Sequence, residues 1–179
     1  GARTGRLSSS DPNLQNQPPY IRSAYIPSPG YKLMAADYAQ LEMRILAHMS
    51  KDETLCKAIN EGLDIHSSTA SKMFRVDYDG IIKARSQEEQ GIPLGEEQKA
   101  LLEYRKGAKA INFGLMYGQG AGKLGETLGC SREEAKGMID QYFRAFPKIT
   151  TYFKEAIAEA KKRGHCKTIL GRRRQVPGL

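Results

Sequence analysis

The sequence predicts an α+β protein that is mainly helical, with a small sheet portion supplied from outside the helical run. Three observations carry this. Residues 31–38, YKLMAADY, and residues 166–170, CKTIL, are short apolar runs of the kind that form strands. Between them, apolar residues recur at helical spacing in segments punctuated by Gly and Pro. The longest segment, 96–116, leads into a chain loosened by Gly118, Gly120 and Gly122.

Taken in order, residues 1–30 hold five of the eight prolines among Ser, Asn and Gln, and show no helical or strand period. By composition this is a linker, but Arg3 and Arg6 beside amides and hydroxyls are also donors and acceptors suited to sugar, phosphate and base edges. The strand expected at 31–38 ends in Asp37. A helix over 40–49 follows, with Leu41, Ile45, Leu46 and Met49 expected on one side. A short helix over 52–60 stops at Gly62, and a third over 65–74 takes Asp64 as its N-cap. Residues 75–98 are polar, carry Gly80, Gly91, Pro93 and Gly95, and read as a mobile excursion with a short helix over 82–89. After the long helix 96–116 comes a helical turn near 123–128. Ser131 with Glu134 then forms a capping-box pattern opening a helix to about Phe146. Pro147 begins the last helix, which runs to about Arg163 and stops at Gly164. The strand 166–170 is closed by Gly171 and three arginines.

The chain is organised around residues 105–118, RKGAKAINFGLMYG. Arg105, Lys109, Phe113 and Tyr117 recur every four residues, each step overshooting one turn by about 40°. They form a slowly winding stripe of two cations, an aromatic ring and a phenol. Ala108, Ile111 and Leu115 make the opposite, packing face. A nucleoside triphosphate presents the complementary order, because cations hold phosphates and aromatic rings stack on sugar or base. The bland reading is a solvated amphipathic helix. Against it stand the aromatics on the cationic side and Gly114 and Gly118, each costing ~1 kcal/mol relative to Ala unless close approach or a helix end requires them.

Composition narrows the classes. The 179 residues suffice for one domain or two small lobes. Lys and Arg outnumber Asp and Glu by 28 to 20, giving +8 and a pI near 9.4, which favours a polyanionic partner. No apolar run is long enough to span a membrane, and no signal peptide is visible. Cys56, Cys130 and Cys166 make neither a disulfide framework nor a zinc site, which fits a reducing compartment. A start at Gly1 and an end soon after a strand give the expectation of a piece of a longer protein.

Asp37, at a strand-to-helix junction, is a hard carboxylate suited to Mg²⁺, although an isolated Asp is more often a cap. Glu42 is a second ligand, a macrodipole partner or a wall of the site. His48 reads as a helix-face residue, and His66 as the start of a helix in a polar context with a phosphate within its chemistry.

These motifs resemble a known family. DYAQLEMRILAHMS (37–50) and RKGAKAINFGLMYG (105–118) resemble the first two catalytic motifs of family A DNA polymerases, the DNA polymerase I family. TGRLSSSDPNLQNQP (4–18) resembles the primer-template segment before the palm, DIHSSTASKMF (64–74) the first fingers helix, and TILGRRRQVPGL (168–179) the return towards the palm. The resemblance implies an incomplete right-hand fold, with helical fingers attached to part of an antiparallel-sheet palm. Residues 1–50 would be the primer-template segment and first part of the palm, 51–165 the fingers with an insertion at about 75–98, and 166–179 the return.

The resemblance also implies an activity: template-directed addition of deoxynucleotides to a primer 3′ end by two-metal phosphoryl transfer, with pyrophosphate released. Asp37 would hold two Mg²⁺ ions, and the Tyr38 carbonyl one of them. Arg105 and Lys109, assisted by His66, would bind the triphosphate, and Lys109 would protonate the leaving pyrophosphate. Phe113 would pack on the sugar and Tyr117 beside the templating base. Gln40 and Glu42 would line the sugar pocket, with Glu42 blocking a 2′-hydroxyl, and Arg44 would hold Glu42 or the palm. Arg6 would reach the minor groove, with Asn13, Gln15 and Asn16 on the primer-template nearby. The partners implied are primer-template DNA and deoxynucleoside triphosphates, in a parent enzyme that is monomeric and cytoplasmic in a bacterial or phage-infected cell.

The chain departs from the family pattern in two ways. His66 and Arg105 lie 39 residues apart, beyond the family's usual span, and the third motif, a His-Asp-Glu turn with a second metal-binding Asp, is not in the sequence. The fragment is therefore expected to be inactive alone. A single-subunit RNA polymerase and a non-catalytic nucleic-acid-binding module are the competing readings. Glu42 and TGRLSSSDPNLQN favour DNA synthesis over the first, and retention of Asp37, Arg105 and Lys109 argues against the second.

Overall fold

A computed structural model of the chain describes residues 5–177. The chain divides into two compact units, one made of residues up to Ala39 and from Ala160 onward, the other of Gln40–Glu159.

In the first unit, a single helical turn, α1 (Pro19–Arg22), starts on a proline whose fixed φ suits that position. Strands β1 (His165–Lys167) and β2 (Arg173–Gln175) pair antiparallel, with Cys166 opposite Arg174. Their turn is closed by the Thr168 side chain, which accepts from the Arg172 N–H at 3.1 Å, and by Gly171 at φ +85°. The strand expected at 166–170 is thus shorter. Ile169 and Leu170 sit in the turn, and the arginines form the second strand instead of ending the first. The strand expected at 31–38 is not formed: the segment has no regular secondary structure, is exposed and joins no ladder. A strand exists only against a partner, and among the described residues the one ladder is β1–β2.

The second unit is helical. It holds α2 (Leu41–Ser50), α3 (Glu53–Asn60), α4 (Ile65–Phe74), α5 (Tyr78–Glu89), α6 (Glu96–Met116), α7 (Ala121–Leu128), α8 (Arg132–Ala145) and most of α9 (Pro147–Arg163). Local chemistry sets the helix starts. Asp52, Asp64 and Asp77 cap α3, α4 and α5 by accepting from the third residue's N–H, and the Ser131–Glu134 capping box opens α8. Asp52 serves twice. Its Oδ1 accepts from the Leu55 N–H at 3.1 Å, and its Oδ2 from the Lys148 N–H at 3.2 Å in the first turn of α9. This carboxylate is buried and ties two helix starts together.

Helix α6 runs through the middle, packed on α4, α5, α7 and α8. Its expected packing face is buried: Ala108, Ile111 and Leu115 all enter the core, with Ile111 fully enclosed. Burying one such aliphatic side chain stabilises by about 1.5–3 kcal/mol. Two details differ from expectation. The buried face of α2 is Met43, Leu46, Ala47 and Ser50, whereas Leu41 and Ile45 are about 40% and 42% exposed. The small Ala47 and Ser50 belong to the stripe that faces the core, and the Cys56 thiol of α3 donates to the Ala47 carbonyl at 3.5 Å. Residues 75–98 are not a loose excursion either. They build α5, twelve residues long, whose Ile81 and Ala84 are fully buried. Ile81 joins Ala70 of α4 and Ala108 of α6 in a second, smaller core. The short helix expected over 82–89 thus ends where expected but begins earlier, at Tyr78, where the Asp77 cap opens it.

Candidate functional site

The densest polar cluster of the second unit gathers on Asp64. Its Oδ1 accepts from the Ser67 N–H (2.8 Å), the Ser67 hydroxyl (2.7 Å) and Arg105 Nε (3.0 Å). Its Oδ2 accepts from Gln40 Nε2 (2.9 Å), Arg105 Nη2 (3.0 Å) and Arg85 Nη1 (3.2 Å). Burial pushes the carboxyl pKa up, but hydrogen bonds from Arg105 and Ser67 outweigh it and hold the pKa well below the usual range. Arg105 grips Asp64 through both oxygens, the planar fork-to-carboxylate geometry that makes such pairs strong. Gln40 completes the cluster from the start of α2. Its Oε1 accepts from the Ile65 N–H at 3.2 Å, and its own backbone is left-handed at φ +53°.

Two residues on, in the first turn of α4, His66 is buried at 4% exposure. Asn112 Nδ2 lies 3.1 Å from His66 Nδ1 and also donates to Thr69 Oγ1 at 3.1 Å, and Thr69 in turn donates to the Ile65 carbonyl at 2.8 Å. An Asn112 donor requires a lone pair on Nδ1, which leaves the proton of the neutral ring on Nε2. Burial lowers the His66 pKa to about 4, against the pull of Asp64 and with the help of Arg105, Lys109 and Arg85. The Phe113 ring covers the imidazole at 5.5 Å, tilted by 47°.

The stripe on α6 is therefore graded. Arg105 is turned to Asp64, Lys109 is exposed, Phe113 is half-buried against His66, and Tyr117 stands exposed at the C-cap just past the helix. The structure brings together Gln40, His66, Arg105 and Phe113, with the Lys109 charge felt at His66. Glu42 is half-buried on the rim of a separate hollow of about 210 Å³ lined by Ile45, Met49, Met116, Tyr152 and Phe153.

Asp37 and Tyr38 belong to the first unit, where both are exposed and Asp37 Oδ1 accepts from the Tyr38 N–H at 2.8 Å. Arg6, Asn13, Gln15 and Asn16 are exposed there too. Part of this amide set shapes its own loop. Asn13 Oδ1 accepts from the Gln15 N–H at 3.0 Å, and Gln15 Nε2 donates to the Leu7 carbonyl at 3.3 Å. Among the described residues no group of three or more His, Cys, Asp or Glu side chains is placed to hold a metal ion. One carboxylate and one backbone carbonyl are too few hard oxygen donors for two Mg²⁺ ions. No helix among the described residues is long and apolar enough to cross a membrane.

Sequence reasoning missed Asp64 as a hub, together with Ser67, Arg85 and Asn112. For Asn112 the signal was present: an amide beside Ile111, on the face of α6 that must be buried, needs partners. For Asp64 the cap was legible, but its partners lie 21, 24 and 41 residues away.

The family model of DNA polymerase family A matches residues 1–179. The chain is 43% identical over 182 residues to the thermostable DNA polymerase I of Thermus aquaticus, covering 98% of this chain and 20% of that protein. It is 42% identical to DNA polymerase I of Pseudomonas aeruginosa, covering 99% of this chain and 18% of that one. It thus spans about a fifth of the length of these relatives. Among solved structures it is similar to the POL domain of Pol1 from M. smegmatis in complex with DNA primer-template and dNTP, with a TM-score of 0.79 and 39% identity over 98% of this chain and 29% of that one. With a match along its whole length and the helix α6 motif set as described, the chain belongs to DNA polymerase family A.

Proposed function

We propose that this chain forms the fingers and part of the palm of a longer DNA polymerase, which adds deoxynucleotides to a primer 3′ end and releases pyrophosphate. The observation that carries the reading is the cluster on α6: Arg105, Lys109 and Phe113 converge with His66 on one side of a helix whose other side is core. The primer-template DNA and dNTP in the similar M. smegmatis complex support the same substrates here. In this reading Lys109 and Arg105 bind the triphosphate, Phe113 packs on its sugar, and Tyr117 stands beside the templating base. Gln40 orders the start of α4, and Glu42 excludes the 2′-hydroxyl. Arg6, Asn13, Gln15 and Asn16 contact the primer-template. The domain limits are those expected from the sequence, with α5 as the inserted element. The parent works as a monomer in the cytoplasm of a bacterial or phage-infected cell.

Bound divalent metal would activate the primer hydroxyl and balance phosphate charge. Asp37 and the Tyr38 carbonyl are the donors that this chain offers, and they do not complete a two-ion site. The work of the remaining residues is electrostatic and positional. A cation fixed at Lys109 meets charge developing on the leaving pyrophosphate, and its ammonium is a proton source for that group.

A primer-extension assay tests the proposal with the parent polymerase beside residues 1–179 alone. The parent extends a primed template, whereas the short chain binds DNA with affinity that falls steeply with salt and adds no nucleotide. A parent that cannot extend any primed template overturns the function. Extension by the short chain places a complete metal site within it and overturns its inactivity.

A further inference from the structure

Helix α5, the element expected as an insertion, reaches the nucleotide cluster directly. Its first residue, Tyr78, accepts the Asp64 N–H on its hydroxyl at 3.0 Å. One face further along, Arg85 donates to Asp64 Oδ2 at 3.2 Å and is held from behind by Glu89 at 2.8 Å through its Nε. Ile81, between them on the same face, is fully buried, so the helix is fixed in place and Arg85 is strung between two carboxylates. Asp64 therefore carries two guanidinium partners for one charge.

That surplus matters because Arg105 has two tasks in the reading above. It grips Asp64 in this structure, and it is assigned to the triphosphate. If Arg105 were its only cation, moving that guanidinium to a phosphate would leave a carboxylate whose side chain is 10% exposed with only the neutral donors of Ser67 and Gln40, a costly state. We propose that Arg85 is a positioning residue for nucleotide binding: it keeps Asp64 paired when Arg105 turns to the triphosphate, so that α5 lowers the cost of recruiting Arg105. This rests on the polymerase reading. It assigns to the expected insertion a role in substrate affinity that does not require α5 to touch the substrate.

The test measures single-turnover incorporation by the parent polymerase on a primed template as a function of dATP concentration. Arg85→Gln raises the apparent dATP Kd about five- to tenfold, while the maximal rate stays within about twofold of wild type. Arg85→Lys restores most of the affinity, because the charge is what counts. In an Asp64→Asn background, which retains a capping oxygen, Arg85→Gln has no further effect. An unchanged Kd overturns the proposal, as does a loss confined to the maximal rate. An equal rise in the Asp64→Asn background also overturns it, since Arg85 would then contact phosphate itself. Should Arg85→Gln lose its thermal transition, Arg85→Met carries the same expectation and the same refutations. A wild-type parent that extends no primer rejects the polymerase reading and this one with it, whereas an extending parent with an invariant Kd rejects this one alone.

Discussion

Replacing Asp52 by Ala tests how the second unit is held together. The side chain is 1% exposed and accepts from two backbone N–H groups, Leu55 at the start of α3 and Lys148 at the start of α9. Each cap alone is worth about 1 kcal/mol, and a buried donor left without a partner costs about 1–3 kcal/mol. Because Ala removes both acceptors at once and leaves a small void that water fills poorly, the sum is about 2–4 kcal/mol. For a chain of this size each kcal/mol moves the melting temperature by about 2–4 °C, so Asp52→Ala lowers it by about 4–16 °C. Asp52→Asn keeps one acceptor for Leu55 but turns an amide towards Lys148, and loses about half as much. The assay is thermal unfolding of residues 1–179 followed by far-ultraviolet circular dichroism. A midpoint for Asp52→Ala within about 2 °C of wild type would refute the reasoning, because it would mean that neither helix start depends on this carboxylate.

The His66 ring supplies a pH test. Its pKa falls from 6.5 to about 4 on burial, so the unfolded chain takes up a proton first as pH drops. Stability is complete above about pH 6.5 and is lost towards pH 4, by at most about 3 kcal/mol. Urea unfolding across that window checks it, and an unaltered slope in His66→Gln would rule His66 out as the source. In the parent enzyme, Lys109→Ala lowers the single-turnover rate about 10²- to 10³-fold with primer-template affinity unchanged, and a normal rate would remove Lys109 from the chemistry. Glu42→Ala raises ribonucleotide incorporation relative to deoxyribonucleotide incorporation. A constant ratio in competition assays would show that Glu42 is not the gate.

Much of the helical unit was legible in the chain because its signals are local. The bounds of α6, the Asp64 cap and the Ser131–Glu134 box each depend on residues within one or two turns. What escaped depends on distant pairing. Residues 31–38 have strand composition, but a ladder needs a second chain segment that composition cannot name. Arg105 reads as one cation of a stripe, Gln40 as a lining residue by resemblance and Arg85 as part of a polar segment, and only folding brings the three to one carboxylate. The facing of α2 failed for a related reason. Leu41 and Ile45 are the larger residues, yet Ala47 and Ser50 permit the close approach of the neighbouring core.

Helix α6 has 21 residues and is therefore about 31 Å long. It ends beside Gly118, at φ +75°, and meets α5 near its middle, where Ile81 packs with Ala108 and Leu101. Were the rod to turn about that glycine, its two ends would move unequally. Each degree of rotation would move the Glu96 end by about 0.6 Å but Lys109 by only about 0.2 Å. Helix α5 meets α6 at Leu101 and Ala108, so a rotation that shifts Lys109 by about 0.2 Å would shift the Leu101 contact by about 0.4 Å, roughly twice as far. A fluorophore at the exposed Lys83 would report that shift with more sensitivity than one placed beside Tyr117.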